Sequence, residues 1–179
     1  MTKYLFFLIA LLVIACSDNF PTDYNSLPDI YTEQPDVDTT PVWVTDQIYA
    51  GLEWSTLADR MTWYQAVRYC KEIGARLPNI TELRKIIINC PVSTYGGVCE
   101  VDDPYCLLDF CYDYHECACD YGNSYSALGD NHEITLWSSS YCKPTSINYY
   151  GDSAWVVAFK YAEVVDQLEI QDFHVRCVR

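Results

Sequence analysis

An α+β domain, with two helices near its start packed on a small antiparallel sheet, is the fold the sequence predicts. Three observations carry it. Apolar residues recur at three-to-four spacing between positions 63 and 90, and from position 134 onward they alternate or run together. Between these stretches lies an acidic, cysteine-rich segment with neither pattern.

The elements follow in order. Pro41-Val-Trp-Val-Thr45 and Ile48-Tyr-Ala-Gly-Leu-Glu-Trp54 read as short strands around a turn. Thr62 offers an N-cap, and Gln65, three residues on, completes a capping box. Trp63, Ala66, Val67, Cys70 and Ile73 share one helical face and Gly74 is a natural stop, which predicts a helix over 63–73. In Arg76-Leu-Pro78 the proline forces Leu77 out of helical geometry. Asn79 then caps a second helix, with Glu82 at its third position and Leu83, Ile86, Ile87 and Cys90 as its apolar stripe. Arg84 and Lys85 fall on its wet side, and Pro91 ends it. The final third reads as β: Ile134–Trp137, Ala154–Phe159, Val164-Val165 and Phe173–Val178, paired as antiparallel neighbours. No internal repeat is evident.

The 179 residues make room for one domain, 42–179, and a tail. The formal charge of −14 makes nucleic acid and other polyanions poor partners, since phosphates meet a repulsive field; a cationic protein surface or a divalent metal fits the sign better. Ten cysteines point to an oxidising compartment, because a zinc site wants paired C-x-x-C knuckles or clustered histidines, and only His115, His132 and His174 occur.

Residues 1–15 carry Lys3 and then an apolar run too short for a membrane span of about 20 residues, so they read as a signal peptide. Val13-Ile14-Ala15-Cys16 resembles a bacterial lipobox, which implies acylation of Cys16; Ser17 in place of aspartate implies an outer-membrane destination. Ordinary signal cleavage is the alternative. Cysteine parity separates the two, since lipidation leaves nine cysteines and simple secretion ten. Residues 16–41, with Pro21, Pro28, Pro35 and Pro41 among polar residues, read as a disordered tether spanning about 25–30 Å.

The segment 91–133 holds Cys99, Cys106, Cys111, Cys117 and Cys119 among carboxylates and tyrosines, and no Lys or Arg lies between Lys85 and Lys143. Such a stretch builds no core of its own, so cross-links are expected to hold it. Cys90 to Cys142 is one candidate bridge, although spacing does not fix connectivity. Functionally the segment suits Ca²⁺, a cationic surface, or sugars stacked on aromatic faces. Asp130 and Glu133 are the calcium candidates; the bland alternative is a solvated excursion.

The combination of Gly51-Leu-Glu-Trp54, Met61-Thr-Trp63, Ala66, Tyr69-Cys70, Arg76-Leu-Pro-Asn79, Glu82-Leu83, Trp137-Ser-Ser139, Ala154-Trp155, Phe159 and Val175-Arg-Cys-Val-Arg179 resembles the Lcl C-terminal domain family. The likeness spans the domain outside about 91–133. It implies a C-type-lectin-like fold in a bacterial surface lipoprotein, with the domain's two ends side by side and Cys70 bonded to Cys177. Closing a loop of about 100 residues is worth roughly 4–5 kcal/mol as an upper guide. Binding of a sulfated polysaccharide, associated with one adhesin of the family, runs against the net charge unless Arg60, Arg68, Lys71, Arg76, Arg84 and Lys85 form a separate basic face. The calcium motifs of C-type lectins are absent, with Ser138 and Ser139 following Trp137.

The Arg-Leu-Pro and Arg-Cys segments also resemble those of formylglycine-generating enzymes, but those proteins use a close cysteine pair near the C-terminus to hold copper. Here Cys177 stands alone, with Cys142 the next upstream. No Gly-x-Ser-x-Gly elbow or His-Glu-x-x-His occurs, and Ser138–Ser140 read as sheet or turn hydroxyls. The expectation is a non-catalytic cell-surface recognition or adhesion module without a required cofactor, binding a glycan or a protein. A structural envelope lipoprotein is the first alternative and an oxidoreductase of the formylglycine-generating type the second.

Overall fold

The computed structural model describes residues 43–103, 117–142 and 152–179; the expected signal peptide, Cys16, the tether, and residues 104–116 with Cys106 and Cys111 lie outside them. Seven strands and two helices are described: β1 (Thr45–Tyr49), β2 (Leu52–Ser55), β3 (Ala58–Met61), α1 (Trp63–Glu72), α2 (Ile80–Lys85), β4 (Thr135–Cys142), β5 (Ser153–Ala158), β6 (Glu163–Leu168) and β7 (Phe173–Val175). Strands β1 and β2 form a hairpin, and the other five form a sheet in the order β3-β7-β4-β5-β6.

Helix α1 forms where its capping signals stand. The Gln65 amide donates to Thr62 Oγ1, and Gln65 Oε1 accepts from the Thr62 amide, so both halves of the capping box are present. At the far end Gly74 turns left-handed at φ +71°. Its amide donates to the Lys71 carbonyl and that of Ala75 to the Cys70 carbonyl, the paired bonds of a Schellman stop.

Helix α2 starts as expected and ends early. The Asn79–Glu82 capping box is complete, and Arg76 clamps both Glu82 oxygens at 2.7 Å. Burial opposes the charge on Glu82, but the bonds from Arg76 and the Asn79 amide outweigh it and hold the carboxyl below its usual range. The stripe toward Cys90 is not helical. The Ile88 amide instead donates to the Tyr125 carbonyl and the Ala127 amide to Ile86, while Asn89 turns left-handed at φ +59°. A non-local segment thus takes the backbone groups that a longer helix would use.

Arg84 is the larger correction. It lies inside the domain, not on a wet face, with a fully buried side chain. The segment after Cys90 wraps it: its guanidinium donates to the carbonyls of Ser93, Thr94 and Val101 and to Asp102 Oδ1. Burial alone lowers its affinity for a proton, and the Asp102 carboxylate works the other way.

Two strand expectations also shift. Ile48–Trp54 is not one strand, because Ala50 and Gly51, at φ +50° and +81°, make the tight turn between β1 and β2. β7 runs antiparallel to β3 but parallel to β4, through Leu136 opposite His174. The β4–β5 register slips between Trp137 and Tyr141, at the three serines. There the Ser139 amide donates to the Pro78 carbonyl and Ser140 Oγ accepts from the Ile80 amide, which ties the sheet to the start of α2.

The sheet is covered on both faces. Trp155 and Val157 of β5 join Ile80 and Leu83 of α2 in one apolar cluster, whereas Ala154 and Val156 join Trp63, Ala66 and Cys70 of α1 in the other. Cys70 and Cys177, both buried, form a disulfide from α1 to the segment after β7, across 107 positions of sequence.

Replacing Arg84 with alanine leaves three carbonyls and a carboxylate without their donor in the interior, so a loss of about 3–5 kcal/mol is expected. Lysine is expected to recover little, because one ammonium cannot span that fork of acceptors. Urea unfolding checks both, and a midpoint near that of the unaltered protein for Arg84→Ala would count against the arrangement.

Candidate functional site

Two further disulfides organise the region next to the exposed aromatic surface. Cys90 bonds Cys119 and Cys99 bonds Cys117, one bridge nested within the other. The expected partner of Cys90, Cys142, is therefore corrected. Its place is taken because the 117–119 segment lies along the β5–β6 turn, where the Cys119 amide donates to the Tyr161 carbonyl at 2.7 Å and the Val164 amide to Cys117 at 3.0 Å. The segment also contributes to the interior: Cys99, Val101, Cys117, Tyr125 and Leu128 all join the α2 side of the core. It is no purely solvated excursion.

Asp130 and Glu133 do not form the calcium site considered for them. Both Asp130 oxygens accept from Arg176, one of them at 2.7 Å, and Ser126 Oγ donates to Oδ2. Asp130 is buried with Arg176, which also donates to Asp46 Oδ2 and to the Ser55 carbonyl. A carboxylate held this way is neutralised by a guanidinium and has no lone pair turned to a metal. Glu133 is exposed and pairs with His132. Among the described residues no group of three or more His, Cys, Asp or Glu side chains is placed to hold a metal ion.

Five of the six cations considered as a basic face are engaged elsewhere. Arg84 is buried; Arg76 pairs with Glu82, Arg68 with Glu72, and Arg60 donates to the Asp172 carbonyl. Lys85 lies over the Tyr95 ring at 5.3 Å.

Two aromatic groups remain. Half-buried Tyr141 stacks at a tilt on Trp63, 5.6 Å between centroids, and bonds Asp152 through its hydroxyl. Burial, that bond and the nearby Glu169 charge all push its ionisation well above the ordinary range. The second group is exposed. Tyr121, 61% accessible, and Tyr161, 38%, stand 6.0 Å apart, and Lys160 Nζ sits 5.8 and 5.6 Å from their centroids. His132 meets Tyr121 edge to face at 5.9 Å. This surface can stack a ring and hydrogen-bond its rim.

Of these residues the sequence signalled the tyrosine-rich segment but not the nearness to it of Lys160 and Tyr161, which lie some 40 positions on. The Arg-Cys-Val-Arg ending is legible in the sequence as a pattern, whereas the burial of Arg176 is not.

A sheet with one helix in each of its two cores, closed covalently from α1 to the last residues, defines a disulfide-braced α+β domain. The family model described as the Lcl C-terminal domain matches residues 36–179, and the chain belongs to that family. No curated protein matches the chain.

Tyr141 yields a pH prediction. A phenol whose folded affinity for its proton exceeds the unfolded one stabilises fully below about pH 10, and this contribution is lost as pH rises beyond it. Stability by urea unfolding should thus fall from about pH 10 upward, and Tyr141→Phe should flatten that slope. An unchanged slope in the variant would contradict the assignment.

Proposed function

We propose that the chain is a non-catalytic recognition or adhesion module of the cell envelope, held to the outer membrane by lipid on Cys16. The observation that supports this most is the Cys70–Cys177 bond. Chemistry of the formylglycine-generating type needs a thiolate near the C-terminus as metal ligand or nucleophile, and a disulfide sulfur is neither. Asp130, the carboxylate singled out for a metal, is likewise held by Arg176. What faces solvent is instead a group of aromatic rings with a lysine among them, suited to binding a glycan or protein surface. The C-type-lectin-like fold belongs to the same proposal. It is supported by the way the domain's ends meet, with the Glu53 and Arg179 backbones bonded to each other in both directions.

One observation favours a structural envelope role as the second reading. Among the described residues three disulfides take six of the ten cysteines, and the other four in the sequence are Cys16, Cys106, Cys111 and Cys142. With Cys16 acylated, three remain, and an odd number leaves one sulfur for a partner or a second copy. Covalent dimers that vanish on reduction would favour this reading.

Several acyl chains at about 0.8 kcal/mol per buried CH₂ make detachment negligible. Cys16→Ser is therefore expected to move the protein from the membrane to the soluble fraction and to remove the acyl mass. Retention in the membrane would refute the anchor. Recognition itself is tested by titrating the purified full chain onto intact cells and isolated envelopes. Saturable, salt-sensitive association is expected; uptake that grows linearly without saturation would reject it.

A further inference from the structure

The geometry points to a glycan site at Tyr121, Tyr161, Lys160 and His132, built to take a neutral pyranose ring; it rests on the recognition reading and gives that reading a place and a ligand class. Three features carry it. The first is the mixture of chemistries. A pyranose has an apolar C–H face bordered by hydroxyls, and it needs an aromatic face with donors and acceptors at its edge. Here the two rings, 6.0 Å apart, have the Lys160 ammonium lying over one side of each, the His132 imidazole edge to face with Tyr121, and Glu133 at 3.0 Å from that imidazole. An ammonium supplies three donors, a carboxylate accepts, and a phenol does both.

The second feature is preorganisation. Tyr121 follows directly on a segment fixed by two disulfides, through Cys117 and Cys119. The Asp120 carbonyl accepts from the buried Tyr125 hydroxyl. Tyr161 is held from its own carbonyl by the Cys119 amide, and Ala162 beside it is locked left-handed at φ +49°. Rings presented on such a frame lose little conformational freedom when a ligand stacks on them.

The third feature is size and charge. A protein partner covers about 800 Å² on each side around an apolar centre, whereas this group is a few rings interrupted by charged side chains. Its dimensions suit one or two sugar residues. A polysulfated chain would find one lysine, Lys160, in this group, on a protein of net charge −14.

The test is calorimetric titration of the purified full chain with three neutral tetrasaccharides: β1,4-linked N-acetylglucosamine, β1,4-linked glucose and α1,4-linked glucose. At least one is expected to bind. Tyr121→Ala should weaken it about tenfold or more, the scale of one lost stacking contact and its bonds. Tyr121→Trp should retain binding, and Tyr95→Ala, an exposed tyrosine under Lys85 elsewhere, should leave it unchanged. Circular dichroism and thermal midpoint should be the same in all variants, since the replaced rings are exposed. Absence of binding by all three sugars overturns the site, as does a Tyr121→Ala chain that binds like the original. If the original chain still saturates on envelopes in that event, only the site falls; if it does not, the recognition reading falls with it.

Discussion

The last four residues hold the domain's beginning to its end, and each grips something different. Arg176 reaches into the interior to Asp130, Asp46 and the Ser55 carbonyl. Cys177 carries the disulfide to α1 and exchanges two further bonds with Ser55, through its amide and its carbonyl. Val178 bridges both Trp54 and Arg76. Arg179 donates to the carbonyls of Ile73 and Gly74, which α1 leaves over at its C-terminus, and stacks on Trp43 at 4.3 Å. A positive side chain at a helix C-terminus also meets the favourable end of its dipole. The covalent bond matters because these contacts are long-range: joining positions 107 apart limits how far the unfolded chain can spread before they form.

Two buried arginines then set what the interior tolerates. Arg84 organises the segment after Cys90, and Arg176 joins β7 to the hairpin and to Asp130. An apolar residue of the same volume in a repacked site often stabilises as much as such a buried arginine. A guanidinium with several fixed acceptors has a different effect. It makes one arrangement of the surrounding carbonyls far better than its neighbours, which suits a segment with little regular structure of its own. The 91–103 stretch has such a segment's composition, and it is held at both levels, by sulfur at Cys90 and Cys99 and by the bonds of Arg84 to Ser93, Thr94, Val101 and Asp102.

Local signals were legible in the sequence and non-local ones were not. Thr62 with Gln65 and Asn79 with Glu82 define their helix starts because a capping box is complete within four residues. The runs around Trp137, Trp155 and Val164 mark strands because alternation is a property of the strand itself. Arg84 reads as solvent-facing only while α2 is imagined as an isolated helix; the wall that buries it comes from residues 93–102. The second helix reads too long for the same reason, since Tyr125 and Ala127 compete for its backbone. Ala50 hides the hairpin turn, because a non-glycine residue at positive φ leaves no sign in composition. Pairing of Cys90 with Cys119 depends on where β6 lies, and nothing within either segment states that. The aromatic surface splits the same way: Tyr121 sits in a conspicuous segment, while Lys160 and Tyr161 look like an ordinary turn until the sheet brings them alongside.

These two levels of fixation bear on function. A recognition surface gains from groups that are exposed yet already in place, and exposure normally works against placement, because a solvated tyrosine has little to pack on. Here the constraint is moved one or two residues back. Cys117 and Cys119 are anchored by sulfur, Asp120 by its carbonyl, and Tyr161 by its backbone, so the rings themselves need no burial to keep their mutual 6.0 Å spacing. The sulfur in this region therefore fixes the main chain next to the exposed rings as well as packing into the core. Cys90–Cys119 and Cys99–Cys117 brace the main chain just before Tyr121, whereas Cys70–Cys177 joins α1 to the last residues, so different bonds constrain the exposed rings and the closure of the domain.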